Sequence, residues 1–246
     1  MTRSMTCVCQ AVITAEDTES LIAPVKDHFD QEHPDYLVST ANVRNTLESE
    51  DRATGPTEAL EKIGPLEFVP IAPGSAEDVG RFFDVDAFPD NPWWGACYCM
   101  FFPRGGRQNE NWGEEPWQDN RSDQMARIRS GKTTGMLAYA DGKLVGWCNA
   151  TARSELPSLA TGDDAGVASV VCFVVSPPYR GHGVATGLLD GVVRTFQERG
   201  FERLEAYPVK DASDHRKAFH GTVDLFSSAG FTLVSEEPLV MSRDLP

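Results

Sequence analysis

Apolar residues are grouped along the chain in patterns that predict strands and helices in alternation. Residues 170–175 form a continuous apolar run rich in β-branched side chains, which predicts a strand buried on both faces. From Val184 onward, apolar residues recur with the spacing of one helix face, and Gly200 stands where a left-handed helix end is expected. A strand, a short loop and an amphipathic helix therefore follow one another directly.

The loop between this strand and this helix has the sequence Arg180-Gly181-His182-Gly183-Val184-Ala185. Because the two glycines have no side chains, several backbone N–H groups can converge at the start of the helix. These N–H groups have no acceptor within the helix and carry the positive end of its dipole, which favours a phosphate or pyrophosphate. The guanidinium of Arg180 could add a fixed cation. A plain strand-to-helix turn without a ligand is the alternative.

Further patterns predict a mixed sheet with helices on its faces. Strands are expected at residues 64–73, 136–140, 144–151, 203–209, 231–234 and 239–242, and helices at residues 76–84, 121–130 and 222–229. Asp141-Gly142 is a strong hairpin-turn signal. The strand, helix and strand between residues 168 and 209 form a βαβ unit, which predicts one parallel pair of strands.

Residues 1–55 are predicted to form a small α+β domain, joined by a linker at residues 56–63 to the main domain at residues 64–246. A strand is expected at residues 7–14, a first helix from Asp17 or Thr18 to about Glu32, and a second helix at residues 40–50. The buried faces of these helices are predicted to carry Leu21, Ile22, Val25, Phe29, Val43 and Leu47. The stretch loosely resembles a small prokaryotic domain of unsettled activity.

Two cysteines and two histidines of this N-terminal domain occur in the order of a zinc site: Cys7, Cys9, His28 and His33. The single residue between the cysteines is shorter than the spacing of two to four residues that is usual in zinc sites, although on a strand it points both thiols to one side. We therefore expect no metal, with a cysteine in the core and both histidines on a solvated helix face. Zinc is the open alternative.

The acidic composition restricts the partners of the chain. Among 246 residues, 37 are acidic and 22 are basic, which gives a net charge of −15. This excess disfavours binding to nucleic acid or to an anionic membrane. No stretch approaches the ~18 consecutive apolar residues of a membrane helix, and no signal-peptide pattern is present. We expect a cytoplasmic protein with free thiols at all six cysteines.

Residues 88–102 combine six aromatic side chains with Cys97 and Cys99. Such a segment could line an apolar substrate cavity, and the two thiols could serve as nucleophiles or ligands if their thiolates were stabilised. The preferred interpretation is a well-packed lid or strand over the sheet.

The string Val175-x-x-x-x-Arg180-Gly181-x-Gly183-x-Ala185, between an apolar strand and a helix, resembles the acyl-CoA loop of the GNAT N-acetyltransferase superfamily, and the resemblance covers about residues 64–246. It implies an α+β fold with a mixed sheet, acetyl-CoA as the cosubstrate, and a slot for the pantetheine arm between residues 173–175 and 204–207, with backbone groups of Val174 and Val175 aligning the arm. The implied cofactor-binding residues are Phe173, Val174, Val175, Arg180, Gly181, His182, Gly183, Val184, Ala185 and Thr186.

The resemblance leaves the acid and the base of the reaction open. The family's L-Y-x-x-x-G-F motif corresponds to the string from Leu225 to Phe231, in which Phe226 replaces the tyrosine that often acts as the acid. Tyr207, at the end of a strand beside the slot, is our substitute for that acid. The base is undetermined among Glu155, Asp163, Asp164 and Glu205. His182 is either a phosphate contact or an exposed filler, and His215 and His220 are not chosen.

Three functions are compatible with these patterns. The first is transfer of an acetyl group from acetyl-CoA to a primary amine of a small molecule or protein. The second is an acyl-CoA-binding sensor or interaction module that has lost catalysis, which the loss of a hydroxyl at Phe226 favours. The third is a metal-dependent redox or thiol protein that uses Cys97, Cys99 and the N-terminal cysteines. The sequence indicates neither the acceptor nor the oligomeric state.

Overall fold

An antiparallel hairpin packed against two helices forms the N-terminal part of the chain. The structure, a computed structural model, describes residues 2–7, 9–34, 38–210 and 215–246. The hairpin strands are β1 (Arg3–Thr6) and β2 (Val12–Ala15), and the helices are α1 (Thr18–Glu32) and α2 (Thr40–Arg52). Their shared core consists of Met5, Cys7, Leu21, Ile22, Val25, Phe29, Val43 and Leu47. All six apolar positions predicted for the two helices are therefore buried.

The strand predicted at residues 7–14 is wrong, because the chain turns in the middle of it. The Gln10 amide donates to the Cys7 carbonyl at 2.9 Å, and the Cys7 amide donates to the Ala11 carbonyl at 2.9 Å. Gln10 adopts a left-handed backbone conformation with φ +72°, which is typical of a tight turn. Cys7 and Cys9 consequently belong to a hairpin turn, where strand alternation does not set the direction of their thiols.

A seven-stranded mixed sheet forms the centre of the main part of the chain. Its strands are β3 (Leu66–Pro70), β4 (Gly135–Ala140), β5 (Lys143–Ala152), β6 (Val167–Val175), β7 (Arg203–Ala206), β8 (Thr232–Glu236) and β9 (Leu239–Asp244). Their order in the sheet is β3-β4-β5-β6-β7-β9-β8. Neighbouring strands are antiparallel except β6 and β7, which are parallel. The predicted α+β architecture and its single parallel pair are confirmed.

Four helices accompany this sheet: α3 (Ala76–Arg81), α4 (Trp117–Arg129), α5 (Val184–Glu198) and α6 (Val223–Ser228). Helix α3 continues into a π-helical turn at Phe82–Asp86. Helix α4 begins earlier than predicted, because the Trp117 amide donates to the side chain of Asn45 and its indole N–H donates to Glu48 at 2.6 Å. Contacts from α2 thus add a first turn that the local pattern did not indicate.

Helix α5 is held against one face of the sheet by its apolar side. Its residues Leu188, Leu189, Val192 and Phe196 belong to a core that also contains apolar side chains of β4, β5, β6 and β7. Leu188 and Phe196 are completely buried. Burial of several large side chains fixes α5, and with it the loop that precedes the helix.

The opposite face of the sheet is covered by α3, α4 and the aromatic segment at residues 88–102. Tyr98 and Trp147 are completely buried here, and the ring of Phe83 stacks on Tyr98 with centroids 5.5 Å apart. The Tyr98 hydroxyl donates to Asp84 at 2.5 Å, and the Trp147 indole donates to the Cys99 sulfur at 3.4 Å. The segment is a packed covering layer built of turns, as the preferred interpretation expected, with no strand in it.

The N-terminal helices contact the main part of the chain through polar and aromatic side chains. The guanidinium of Arg52 lies 3.5 Å from the centre of the Trp117 ring, and its Nη2 donates to the Gly95 carbonyl at 3.3 Å. The side-chain amide of Asn42 donates to the Gly113 carbonyl at 2.9 Å. The ring of Phe29 meets that of Trp93 at 5.2 Å. The division into domains at residues 1–55, 56–63 and 64–246 stays a prediction.

Within the described residues, every helix is too short or too polar to cross a membrane.

The packing of α5 makes a prediction about stability. Leu188→Ala removes a completely buried side chain from the core under the sheet, and we expect it to lower the free energy of unfolding by about 2 to 5 kcal/mol. Arg194→Ala, on the exposed side of the same helix, is the matched control and should change it by about 0.5 kcal/mol at most. Chemical denaturation of both variants provides the measurement, and equal losses would contradict the assigned buried face.

Candidate active site

The parallel strands β6 and β7 separate halfway along β6. Pairing runs from Val167 opposite Arg203 to Val170 opposite Ala206, and there β7 ends. The strand predicted at residues 203–209 is therefore shorter than expected, whereas β6 continues to Val175. Over residues 171–175, the β6 edge that faces away from β5 has no partner strand in the described part of the chain. The separation opens the slot that the resemblance implied.

Backbone groups of alternate β6 residues point into this slot. The carbonyl of Val171 accepts from Nδ1 of His220 at 2.8 Å, and the carbonyl of Val175 accepts from Nε of Arg180 at 3.0 Å. On the other edge, the Ser176 amide donates to Val145 of β5 at 2.9 Å. In this register Val174 pairs with Trp147 of β5. Alternation along the strand therefore directs the backbone groups of Phe173 toward the slot, together with those of Val171 and Val175.

This register changes one part of the sequence prediction. Val174 and Val175 were expected to align the pantetheine arm through their backbone groups. Because Val174 directs its backbone toward β5, Phe173 and Val175 are the residues whose backbone faces the slot. The signal that could have indicated this is the two-residue period counted back from the end of the strand.

A cavity of about 330 Å³ lies along the slot. It is lined by Phe88, Asn91, Phe173, Val174, Val175, Tyr179, Arg180, Gly181, Gly183, Val184, Ala185, Thr186, Ala218 and Phe219. All predicted cofactor-binding residues except His182 line it. Sequence reasoning offered residues 88–102 only as a possible substrate-cavity lining and did not place Ala218 or Phe219 here, because the fold alone brings these distant segments to β6.

The backbone amides at the start of α5 are the main polar feature of the cavity. In the described part of the chain, the amides of residues 181–186 have no hydrogen-bond acceptor, and the first amide that has one is that of Gly187, which donates to Gly183 at 3.0 Å. Among the residues that the structure describes, no side chain caps the helix. Unpaired N–H groups at a helix N-terminus attract anions, since the helix dipole adds positive charge there. The geometry therefore provides an anion cradle.

Two glycines give this loop its shape. Gly181 and Gly183 have φ values of +78° and +77°, in the left-handed region that side chains make costly. A Cβ atom at either position would meet no atom of the described residues within 4 Å. The space in front of the amides is therefore open.

Arg180 is bound to the protein itself. Its Nη1 and Nη2 contact the two carboxylate oxygens of Asp90, and its Nε donates to the carbonyl of Val175. The positive charge that Arg180 was expected to offer a phosphate is thus neutralised by a carboxylate, and the side chain fixes the loop to the end of β6. Asp90 stands ninety residues earlier in the chain, which is why the sequence did not indicate the pair.

His182 points away from the cavity and binds the predicted linker. Its Nε2 donates to the carbonyl of Leu60 at 2.9 Å, and the Leu60 amide donates to the carbonyl of Pro178 at 3.1 Å. The side chain therefore holds residues near 60 against the loop, and this geometry offers no support for a phosphate contact by its imidazole.

Tyr207 lies just beyond the end of β7 and next to β6. Its hydroxyl is 3.2 Å from the hydroxyl of Ser169 and donates to Glu205 at 3.2 Å. Burial raises the pKa of Tyr207 to about 12, since a phenolate would lose its hydration there. The phenol is thus a protonated donor near the point where the strands separate, although it does not line the cavity.

The carboxylates proposed as bases are mostly held by arginines. Arg153 contacts Asp164 at 2.5 Å and Glu205 at 2.9 Å, and its Nη2 donates to the backbone carbonyl of Asp163 at 2.6 Å. The side chain of Glu155 lies 4.0 Å from Arg127. The hydrogen bond from the Thr161 amide and the contact with Arg153 lower the pKa of Asp164, which makes this carboxylate a weaker proton acceptor. Arg153 accordingly ties the segment around residue 164 to β7.

Phe226 is completely buried in the core below the slot. Its ring contacts Phe173 at 6.0 Å and Phe231 at 5.1 Å between centroids. The position that the family motif gives to a tyrosine thus serves packing in this chain.

His220 is a site residue that sequence reasoning set aside. Its ring contacts Phe102 and Phe219, with centroids 5.5 and 4.4 Å apart, and its Nδ1 donates to Val171 at the point where β6 loses its partner. A lone histidine in a polar stretch carries no distinguishing signal, so that only the fold identifies it. His215 is not placed relative to the site, because its side chain lies outside the described part of the structure.

Thiolate chemistry is disfavoured at Cys97, Cys148 and Cys172. Burial raises the pKa of Cys97 to about 12 and raises that of Cys148 well above its ordinary value, and the neighbouring Cys99 and burial together raise the pKa of Cys172. Protonated, buried thiols are poor nucleophiles and poor metal ligands. The thiolate role considered for Cys97 therefore lacks physical support, and Cys99 is buried in the aromatic core, where its sulfur accepts from the Trp147 indole.

The chain is similar to several solved structures. The PaiA N-acetyltransferase of Thermoplasma acidophilum, solved with coenzyme A, has 13% identity and a TM-score of 0.45, and the alignment covers 73% of this chain and 99% of that chain. YncA of Salmonella typhimurium, solved with acetyl-CoA, has 11% identity and a TM-score of 0.45, with 74% and 94% covered. YhbS of Escherichia coli, solved with CoA, has 16% identity and a TM-score of 0.47, with 77% and 86% covered.

The assignment to a family rests on the sequence. No curated protein matches the chain. A family model described as the acetyltransferase (GNAT) family matches residues 96–222, which is more than half of the chain and contains β4, β5, β6, the amide loop, α5 and β7. The chain therefore belongs to the acetyltransferase (GNAT) family, whose enzymes transfer acyl groups.

Proposed function

We propose that this protein is an acetyl-CoA-dependent N-acetyltransferase that acetylates a primary amine of a small molecule or a protein. The observation that carries the proposal is the row of amides at residues 181–186, which have no acceptor in the described chain and open onto the cavity along β6. An anionic diphosphate attached to a long amide-containing arm fits both features, because the cradle attracts the diphosphate and the strand edge offers hydrogen bonds to the arm.

The two ends of the slot have different tasks in this proposal. The amides at the start of α5 hold the diphosphate, and backbone groups of Phe173 and Val175 align the arm along β6. The thioester then lies toward Val171, where the strands separate. Binding the donor and the amine together supplies much of the rate acceleration through proximity.

Transfer requires one proton to leave the amine and one to reach the sulfur. The lone pair of the neutral amine attacks the thioester carbonyl carbon, the carbon–sulfur bond breaks, and the departing thiolate takes a proton. Tyr207 is the proposed donor of that proton, since its phenol stays protonated. His220 is the proposed acceptor of the amine proton, because its imidazole lies where the strands separate and is held there by the bond from Nδ1 to the Val171 carbonyl.

The alternative is an acyl-CoA-binding sensor or interaction module. Burial of Phe226 among Phe173 and Phe231 favours this alternative, because the hydroxyl that often protonates the thiolate is missing there. Under this alternative, cofactor binding is intact and transfer is weak or absent.

Thiol release from acetyl-CoA separates the two functions. We expect the purified full chain to release CoA in the presence of some amines of a panel that includes polyamines, aminoglycosides and peptides with free N-termini. The control is the same mixture without amine, which measures hydrolysis. Tight CoA binding by calorimetry together with no amine-dependent release across the panel would favour the sensor.

The anion cradle predicts that the same substitution affects CoA binding differently at the two ends of α5. Gly183→Val places a side chain in front of the amides and should abolish CoA binding. Gly200→Val is the matched control, because Gly200 has the same φ of +77° and the same open surroundings but lies at the far end of the helix. Both variants carry the same backbone strain, so that their thermal unfolding should be similar. Titration calorimetry with CoA is the measurement, and unchanged affinity in Gly183→Val would refute the cradle.

The acid role predicts a specific loss at Tyr207. Tyr207→Phe should lower kcat by about 100-fold and leave KM for acetyl-CoA nearly unchanged, because only the proton donor is removed. Tyr139→Phe is the matched control: this tyrosine also donates to a carboxylate, at 2.9 Å from Asp78, and also has its pKa raised to about 12, but it lies in β4. Equal kcat values for the two variants would assign Tyr207 to packing alone.

A further inference from the structure

The hairpin turn of the N-terminal part and helix α1 bring four soft or borderline donor atoms together. The sulfur of Cys7 lies 3.3 Å from Nε2 of His33, and the sulfur of Cys9 lies 3.4 Å from Nε2 of His28. One ligand atom from each of the four residues lies within 4.8 Å of all the others. We propose that these residues bind one Zn²⁺ ion as a closed Cys₂His₂ site, separate from the acyl-transfer site.

The dimensions of the cluster suit tetrahedral zinc. With Zn–S bonds of about 2.3 Å and Zn–N bonds of about 2.0 to 2.1 Å, the ligand atoms of a tetrahedral site stand about 3.3 to 3.8 Å apart. The two sulfur–nitrogen distances of 3.3 and 3.4 Å already lie at this spacing. A movement of about 1 Å brings the widest separation, 4.8 Å, into the same range.

The fold holds the four ligands in place from two elements. Cys7 and Cys9 both belong to the tight turn that the Gln10 amide closes by donating to the Cys7 carbonyl. His28 lies in the last turns of α1, and His33 follows its C-terminal end, where its amide donates to Phe29 at 2.9 Å. Since hairpin and helix share one apolar core, their relative position is set by residues other than the ligands.

The hairpin turn also makes the short spacing between the two cysteines compatible with a zinc site. A separation of one residue is short for a zinc site, and on a strand it would fix the two thiols at a strand-like distance. In the hairpin turn the chain reverses between the cysteines and β2, and both sulfurs come within reach of the same pair of histidines. Each Nε2 thus meets a sulfur, and both histidine side chains are partly exposed.

Two separate thiol–imidazole hydrogen bonds are the competing explanation. Such bonds account for each close pair by itself, but they do not require the two pairs to converge on one point. A closed set of four ligands gives the convergence a physical reason, and it leaves no open position for a substrate. A small core of this size also gains much from a metal that joins its hairpin to its helix.

The consequence of zinc binding is mechanical. The ion would link the β1–β2 turn to the C-terminal end of α1, next to Phe29, whose ring packs on Trp93 of the aromatic segment. Zinc would thus stabilise the packing of Phe29 on the aromatic segment and would take no part in acyl transfer.

The test uses the full chain purified without an affinity tag that binds metal. We expect one zinc per chain by elemental analysis, and after removal with a chelator we expect Co²⁺ to give the visible bands of a tetrahedral site and a thiolate charge-transfer band. Zinc should also protect Cys7 and Cys9 from alkylation. Its removal should lower the thermal unfolding temperature, and added Zn²⁺ should restore it.

Matched variants decide between zinc and hydrogen bonding. Cys9→Ser and His28→Gln should lose stoichiometric zinc and the cobalt charge-transfer band while keeping the far-ultraviolet dichroism of the folded chain. Cys97→Ser and His182→Gln change the same residue types outside the cluster and should keep both. The proposal is overturned if the wild-type chain binds no stoichiometric metal at micromolar Zn²⁺, or if Cys9→Ser retains the metal. Thiol release from acetyl-CoA is measured separately, so that a missing zinc does not bear on the acyltransferase proposal.

Discussion

The separation of β6 from β7 is the feature on which the rest of the site depends. Two parallel strands that stayed paired would satisfy each other's backbone groups and leave no slot. Because β7 ends at Ala206, the edge of β6 at residues 171–175 must find other partners. In the described part of the chain, the His220 side chain binds Val171 and the Arg180 side chain binds Val175. The cavity lies along the edge between these two contacts. A guest with its own amide groups can complete the edge.

The amides at the start of α5 depend on the same arrangement. They stay exposed because the loop is fixed from both sides, by the buried face of α5 and by the contact of Arg180 with Asp90. If Arg180 instead approached the cradle, it would add charge but lose its hold on the loop. The structure therefore separates two tasks: backbone groups provide the anion site, and the arginine keeps them in position.

Local patterns predicted the framework well, and long-range contacts explain most of what they missed. The β-branched run of β6, the helical period of α5 and the Asp141-Gly142 turn are decided within a few residues, so that the sequence sufficed for them. The role of Arg180 depends on Asp90 far away in the chain, and the direction of the Val174 backbone depends on the register with β5. Neither contact leaves a mark on the sequence near the residue concerned.

The N-terminal part reaches the walls of the slot by two routes, although none of its described residues lines the cavity. Its core extends through Phe29 to Trp93, and the next residue, Trp94, packs on Phe219 of the cavity wall with ring centroids 4.6 Å apart. The segment that follows α2 binds the amide loop through Leu60. Neighbouring residues of one short helical turn cannot move independently, so a stable N-terminal core restricts the aromatic wall. A structural metal in that core would therefore influence the Phe219 wall of the cavity through packing alone.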